Sequence, residues 1–416
     1  MFSFNTAPNA ARGAAFSQYT EQDTLKNLFS AIVPNLREIP CWYLEPNEPR
    51  VLNKLPGVRK LTILNIGWHV PIFPTVLVET ERKFRVTTDG PAIDRFVLRI
   101  AKYDFESLLP NQVTNDVAFR RFVAQRLPHI PVPRVYCYNA TDKSETSWVV
   151  EEYIDAKPLL YEWMNLSQAQ KESMSETIAN IVVDFAEVQF DKIGGLNPTD
   201  LSSAPNVEYN KIFEGRREFH DRGCYNIGPY NSMKEYILAC YDREIYYYTH
   251  DTDEDIAVRN GAFADQQDDE EYEPKQDPFG FYRLTVPELV ERLHHDRANF
   301  MKSEVEEEPL VLVHPGLSGC NILVRYGKIA GILHWETAGS YPLSLTFERG
   351  PIRVAYNLTR DGPSENEIWS RRVGQRVREQ AAKRGWDQDR IDTLMGERKI
   401  FELGLARSSC RLVMKN

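Results

Sequence analysis

His314, Asn321, His334 and Glu336 are the side chains of this chain best placed for chemistry. Imidazole suits proton transfer near neutral pH better than any other side chain. His334 and Glu336 are two residues apart, so they share a face if the apolar strand at 329–333 runs on through them. A paired imidazole and carboxylate can act as an acid/base unit. Asn321 closes the run His314-Pro315-Gly316-Leu317-Ser318-Gly319-Cys320-Asn321. One amide oxygen does not make a tight magnesium site, and imidazole is a poor ligand for that hard cation. Gly316 has no side chain and can accept no proton. The residue types therefore point to metal-free proton chemistry.

These groups need a scaffold. Short apolar strands at 311–313, 321–324 and 329–333, with a turn at 325–328, form a hairpin that would carry them. Gly316 and Gly319 keep the loop between them tight. Pro131 and Pro133 bar a helix and force an extended entry into the next strand. In 167–190, Ile178, Ile181, Val182, Phe185 and Val188 form one helical stripe, which is core. Further helices are expected over 22–32, 287–300 and 368–394, and another closes at 246–248. Asp251 to Asp277 is acidic and poor in large apolar residues, so it reads as a solvated insertion.

In order along the chain stand Phe96-Val97-Leu98-Arg99-Ile100, Thr114-Asn115-Asp116-Val117-Ala118, Ile130-Pro131-Val132-Pro133-Arg134-Val135, Trp148-Val149-Val150-Glu151-Glu152-Tyr153-Ile154, Phe190-Asp191-Lys192-Ile193-Gly194-Gly195-Leu196 and Arg222-Gly223, then the His314 and Gly331–Glu336 segments. From about 61 to 342 this series resembles the aminoglycoside phosphotransferase and choline-kinase-like superfamily, particularly its fungal branch. The resemblance implies an α+β, bilobal, protein-kinase-like fold. Its small β-rich lobe would span 61–155, after a helical extension over 1–60, and a larger helical lobe would span 156–416. It implies that 96–100 is a strand from which Arg99 contacts phosphate, that a helix beginning near Thr114 carries Asp116 to pair with it, and that 148–154 joins the lobes. Two departures stand out: the family's catalytic-loop Asp is Gly316, and its metal-binding Asp is His334. The segment expected to cover phosphates has one glycine, two prolines and two large aromatics over 66–74, with Trp68 and His69 among them. Proline removes an N–H donor there, and Trp68 would crowd a triphosphate.

The chain has 416 residues, 42% of them hydrophobic, and a net charge of -10. That is enough for two lobes and argues against nucleic acid as a partner. No run of 18 apolar residues exists to span a membrane. Cys41, Cys137, Cys224, Cys240, Cys320 and Cys410 are scattered, with no metal-type pair. Cys320 is expected to be buried behind its loop. The N-terminus lacks a secretory pattern, which fits a cytoplasmic protein. Three functional readings follow. The first is an enzyme repurposed for a metal- and ATP-independent cyclisation, dehydration or isomerisation of a small molecule in secondary metabolism, using no cofactor. In it, His334, His314 and Glu336 are catalytic, and His69, Trp68, Arg99, Asp116 and Asn321 bind substrate. The second is a pseudokinase-like binding or scaffold protein with a protein partner. The third is a residual ATP-dependent phosphotransferase.

Overall fold

The computed structural model describes residues 25–33, 57–64, 75–85, 90–100, 110–140, 147–207, 222–250, 286–347, 350–356 and 364–397. Trp68, His69 and the acidic stretch 251–277 lie outside the described residues. The first region is a five-stranded antiparallel sheet in the order β1-β2-β3-β5-β4. Its strands are β1 Val58–Ile63, β2 Thr75–Arg85, β3 Ala92–Ile100, β4 Val135–Asn139 and β5 Trp148–Glu152.

Side-chain alternation along β3 determines what each face of the sheet can do. Phe96, Leu98 and Ile100 join an apolar cluster with Val76, Val78, Trp148 and Val150. Helix α1 (25–33) closes that cluster with Leu25, Phe29, Ile32 and Val33, all nearly fully buried. Phe29 meets Phe96 edge-on at 5.7 Å between ring centres. Arg99 points to the opposite face, toward helix α2 (Pro110–Arg126). That helix starts earlier than Thr114. Proline at its first position loses nothing, because the first N–H groups of a helix have no partner in any case.

The second region is mainly helical. Helix α3 (Leu159–Glu162) leads into α4 (Gln168–Glu187), whose start is fixed by a reciprocal capping box between Ser167 and Gln170. Helices α5 (Met233–His250) and α6 (Val286–Lys302) pack together. The expected helix over 368–394 is two helices, α7 (Glu365–Lys383) and α8 (Gln388–Leu394). Gly385 breaks it by adopting φ +81°, a left-handed conformation cheap only for glycine, and Asp387 caps the restart. The core runs from Trp163 and Ile178 through Val311, Leu343 and Trp369 to Val377. The architecture is α+β, with a β-rich first region and a helical second one. Among the described residues, no helix is long and apolar enough to cross a membrane.

Short strands carry the functional segments. Strands β7 (Gly195–Leu196) and β8 (Ser203–Ala204) pair with each other, and β9 (Leu310–Val313) pairs with β12 (Gly339–Pro342). Strands β10 (Ile322–Arg325) and β11 (Lys328–Ile332) form the expected hairpin, and β6 (Lys157–Pro158) lines the free edge of β10. Tyr326 and Gly327, at φ 54° and 71°, make the hairpin's two-residue turn in the form that matches strand twist.

Candidate functional site

Loop 314–321 is held from both sides. Gly319 donates its N–H to the Arg353 carbonyl at 2.6 Å and accepts from Leu160 N–H at 2.9 Å. A β-carbon there would sit 2.9 Å from the Val354 carbonyl oxygen, so this close approach requires glycine. The bond to Arg353 ties the loop to the segment that follows β12. Asn321 turns its amide nitrogen back to the Gly316 carbonyl at 2.7 Å, which fixes the orientation of its side chain on the loop. Cys320, expected inside, is exposed, because the loop turns outward between Gly319 and Asn321.

His314 is buried behind this loop, at 5% exposure, and its ring meets Trp335 edge-on at 4.5 Å. Its Nε2 lies 2.9 Å from the Leu333 carbonyl, which can only accept, so Nε2 carries the proton. Burial holds its pKa down to about 4, and the ring stays neutral at physiological pH. Its committed Nε2 and lack of exposure suit it to supporting residue 334, not to exchanging protons in a cleft.

The strand carrying His334 stops at Ile332 and does not continue to Glu336. His334 adopts φ +65°, a left-handed conformation costly for a residue with a β-carbon. The resulting turn, not a shared strand face, folds Glu336 back beneath His334. His334 Nδ1 then lies 3.0 Å from Glu336 Oε1. A carboxylate only accepts, so Nδ1 carries a proton, and in the neutral ring Nε2 is the acceptor. The His334 side chain is 29% exposed, whereas that of Glu336 is 9% exposed. Burial alone would raise the Glu336 pKa. His334 and Arg99 overcome it and hold the carboxyl well below the usual carboxylate range.

Behind the dyad lies a buried ion cluster. Arg99 contacts Asp116, reaches Glu151 Oε2 with its Nε at 3.2 Å, and places NH1 3.5 Å from Glu336 Oε2. Arg120, one helical turn after Asp116, bridges Asp116 and Glu151. Three carboxylates thus surround two guanidiniums, and Arg99 is held charged. The Trp335 N–H donates to Asp116 Oδ1 at 3.3 Å, tying the cluster to the dyad's own turn. Asn115 donates to the Glu336 and Ala338 carbonyls at 3.0 and 2.8 Å and accepts from Leu196 N–H at 3.1 Å.

The structure therefore brings together Arg99, Asp116, His334 and Glu336, with His314 and Asn321 on the adjoining loop. Arg99 and Asp116 are almost fully buried and engaged with each other, which argues against direct substrate contact. Sequence reasoning missed Glu151 and Arg120. Arg120 could have been found as the i+4 partner of Asp116. Glu151 could have been found as a charge inside an apolar strand, which burial obliges to find a cation.

Arg99 is enclosed by carboxylates, and the Asn321 amide nitrogen is bound to its own loop. Among the described residues, no group of three or more His, Cys, Asp or Glu is arranged for a metal ion.

No protein-family profile matches the chain. It is 26% identical over 185 residues to altered inheritance of mitochondria protein 9, mitochondrial, of Zygosaccharomyces rouxii; the match covers 41% of this chain. It spans 30% of that relative's length. Among solved structures, it resembles a thermostable mutant of aminoglycoside phosphotransferase APH(4)-Ia in ternary complex with AMP-PNP and hygromycin B. Identity is 13% and the TM-score 0.42, over 87% of this chain and 95% of that one. It also resembles the gentamicin–APH(2")-IIa complex, at 12% identity and TM-score 0.40, over 86% of this chain and 89% of that one.

Proposed function

We propose that this chain uses a kinase-like frame for metal- and ATP-independent chemistry on a small organic molecule, with His334 and Glu336 as the acid/base pair. One observation carries the reading: the buried Glu336 carboxylate holds Nδ1 of a partly exposed imidazole, so that in the neutral ring Nε2 is the acceptor. A carboxylate-oriented imidazole of this kind can take a proton from a bound molecule and return it at a neighbouring atom. This suits a cyclisation, dehydration or isomerisation. His314 supports the turn through Leu333, and the Arg99 cluster anchors Glu336. The same enclosure of Arg99 weighs against residual phosphotransfer. Secondary metabolism and a reducing, cytoplasm-like compartment belong to this reading; the relative's name carries the word mitochondrial, and a fluorescent fusion would locate this chain.

The second reading, a binding or scaffold protein, draws on Gly316 offering no group and on His314 being committed to Leu333. The separating experiment is calorimetric titration with ATP, with and without magnesium, followed by turnover of candidate metabolites. The expected result is no magnesium-dependent ATP binding, and a metabolite turnover that falls about 10²–10⁴-fold in His334→Ala. Undiminished turnover in that variant would remove the dyad from the mechanism. Gly316→Asp with His334→Asp is expected not to consume ATP, because the carboxylates around Arg99 remain. ATP consumption by that double variant would revive the phosphotransferase reading.

A further inference from the structure

We propose that the surface groove between helix α7 and the segment after β12 is a docking site for this chain's own residues 398–416, seated by Phe401 and Leu403 with Glu402 on Arg371. Residues 398–416 lie outside the described residues. The groove has a volume of about 400 Å³, and Phe347, Pro351, Gly374 and Met395 form its apolar walls. Arg371, Gly374 and Arg378, at i, i+3 and i+7, present one face of α7 along it. Those seven residues of helix give it a length of about 10 Å. Gly374 leaves room in the groove: outside its own helix, an added β-carbon would meet only Met395 Cε, at 3.6 Å.

Position, reach and charge name the occupant. The last described residue already stands in the groove: Gly396 turns left-handed at φ +70° after α8, and Glu397 lines the groove and bonds Arg378. The residues that follow are Arg398-Lys399-Ile400-Phe401-Glu402-Leu403. Extended, the chain from Glu397 to Glu402 reaches about 17 Å, enough to pass from the Arg378 end of the groove to the Arg371 end. Phe401 and Leu403 offer apolar side chains to its walls. Arg378 is already engaged by Glu397 and by Asp392 at 3.6 Å. Arg371 is exposed and has no ion-pair partner among the described residues. Glu402, set between the two apolar anchors, supplies that carboxylate. Pro351, on the groove wall, stands two residues before the Arg353 carbonyl that holds Gly319, so the docked segment braces the strap behind loop 314–321.

The test uses the full chain with the photo-reactive p-benzoylphenylalanine in place of Phe401, and maps the cross-links by mass spectrometry in dilute solution. Cross-links within one chain to 347–351 and 371–378 are expected. Gly374→Trp, which fills the groove where the fold leaves room, should abolish them. Arg371→Glu should lower their yield about threefold, the effect of an exposed ion pair, and Glu402→Arg in that background should restore it. Cross-links that fall elsewhere on the chain, or none at all, overturn the proposal. Cross-links to the groove of a second copy, seen as a covalent dimer whose yield rises with concentration, overturn it in favour of exchange between copies. Both overturning results are read with the groove unaltered, whatever the folding of the Gly374→Trp variant.

Discussion

Two neighbouring regions treat charge in opposite ways. Around Arg99, five ionisable side chains are buried together, drawn from β3, α2, β5 and the turn after β11. Along 314–321, Gly316 has no side chain, Asn321 is neutral and His314 is kept neutral by burial. Glu336 belongs to the first region and not to the second: it faces back toward Arg99. Charge here consolidates the junction between sheet and helices, and the loop is left to shape and hydrogen bonding. The Arg99–Asp116 pair thus serves as an internal anchor.

The largest effect should come from breaking the charged region. Arg120→Met would leave Asp116 and Glu151 sharing one guanidinium, and removing one member of a buried ion cluster costs about 3–5 kcal/mol. Urea unfolding measures this; a loss below about 1 kcal/mol would mean that water reaches the cluster. The next effect sharpens the contrast by pH. His314 titrates near 6.5 when unfolded and near 4 when folded. The folded state resists the proton, so this contribution is complete above pH 6.5 and is lost as pH falls toward 4, by about 3 kcal/mol. Stability measured across that window should fall less steeply in His314→Gln. Glu336 has a depressed folded pKa, so its contribution is present above the ordinary carboxylate range and is lost only in stronger acid. Glu336→Gln should cost about 1–3 kcal/mol at neutral pH and flatten the acid limb below about pH 4.5, leaving the higher window alone.

The smallest effect lies outside both regions. Tyr326 is 93% exposed and left-handed at φ 54°. Tyr326→Asn should raise stability by about 0.5–1 kcal/mol, read as a small rise in melting temperature. No rise would mean that the ring finds compensating contacts on the hairpin.

Local patterns carried much of this in the sequence. The 322–332 hairpin and the stripe of α4 follow from periodicity and turn residues, whereas the strand with Arg99 and the helix with Asp116 were expected from the family resemblance. The Arg99–Asp116 pair followed only from resemblance. Other features depend on folding geometry that no window contains. Glu151 meets Arg99 across 52 residues of chain, and His334 reaches Glu336 through a left-handed turn where a continuing strand is the natural expectation. Gly385 was legible as a helix stop but lay inside a long charged periodicity. Cys320 reads as buried by composition, and only the direction of its loop exposes it.

Helix α1 has a practical consequence for anyone preparing this protein. Its four apolar side chains complete the core beneath β3. A fragment trimmed to begin at the first strand would keep every group of the dyad and the ion cluster. It would nonetheless bare Phe96, Leu98 and Val150 to water on the sheet's other face, and such a flat apolar surface invites self-association. Shortened versions that precipitate would therefore report the loss of a lid on the sheet, and would say nothing about the chemistry on its far side.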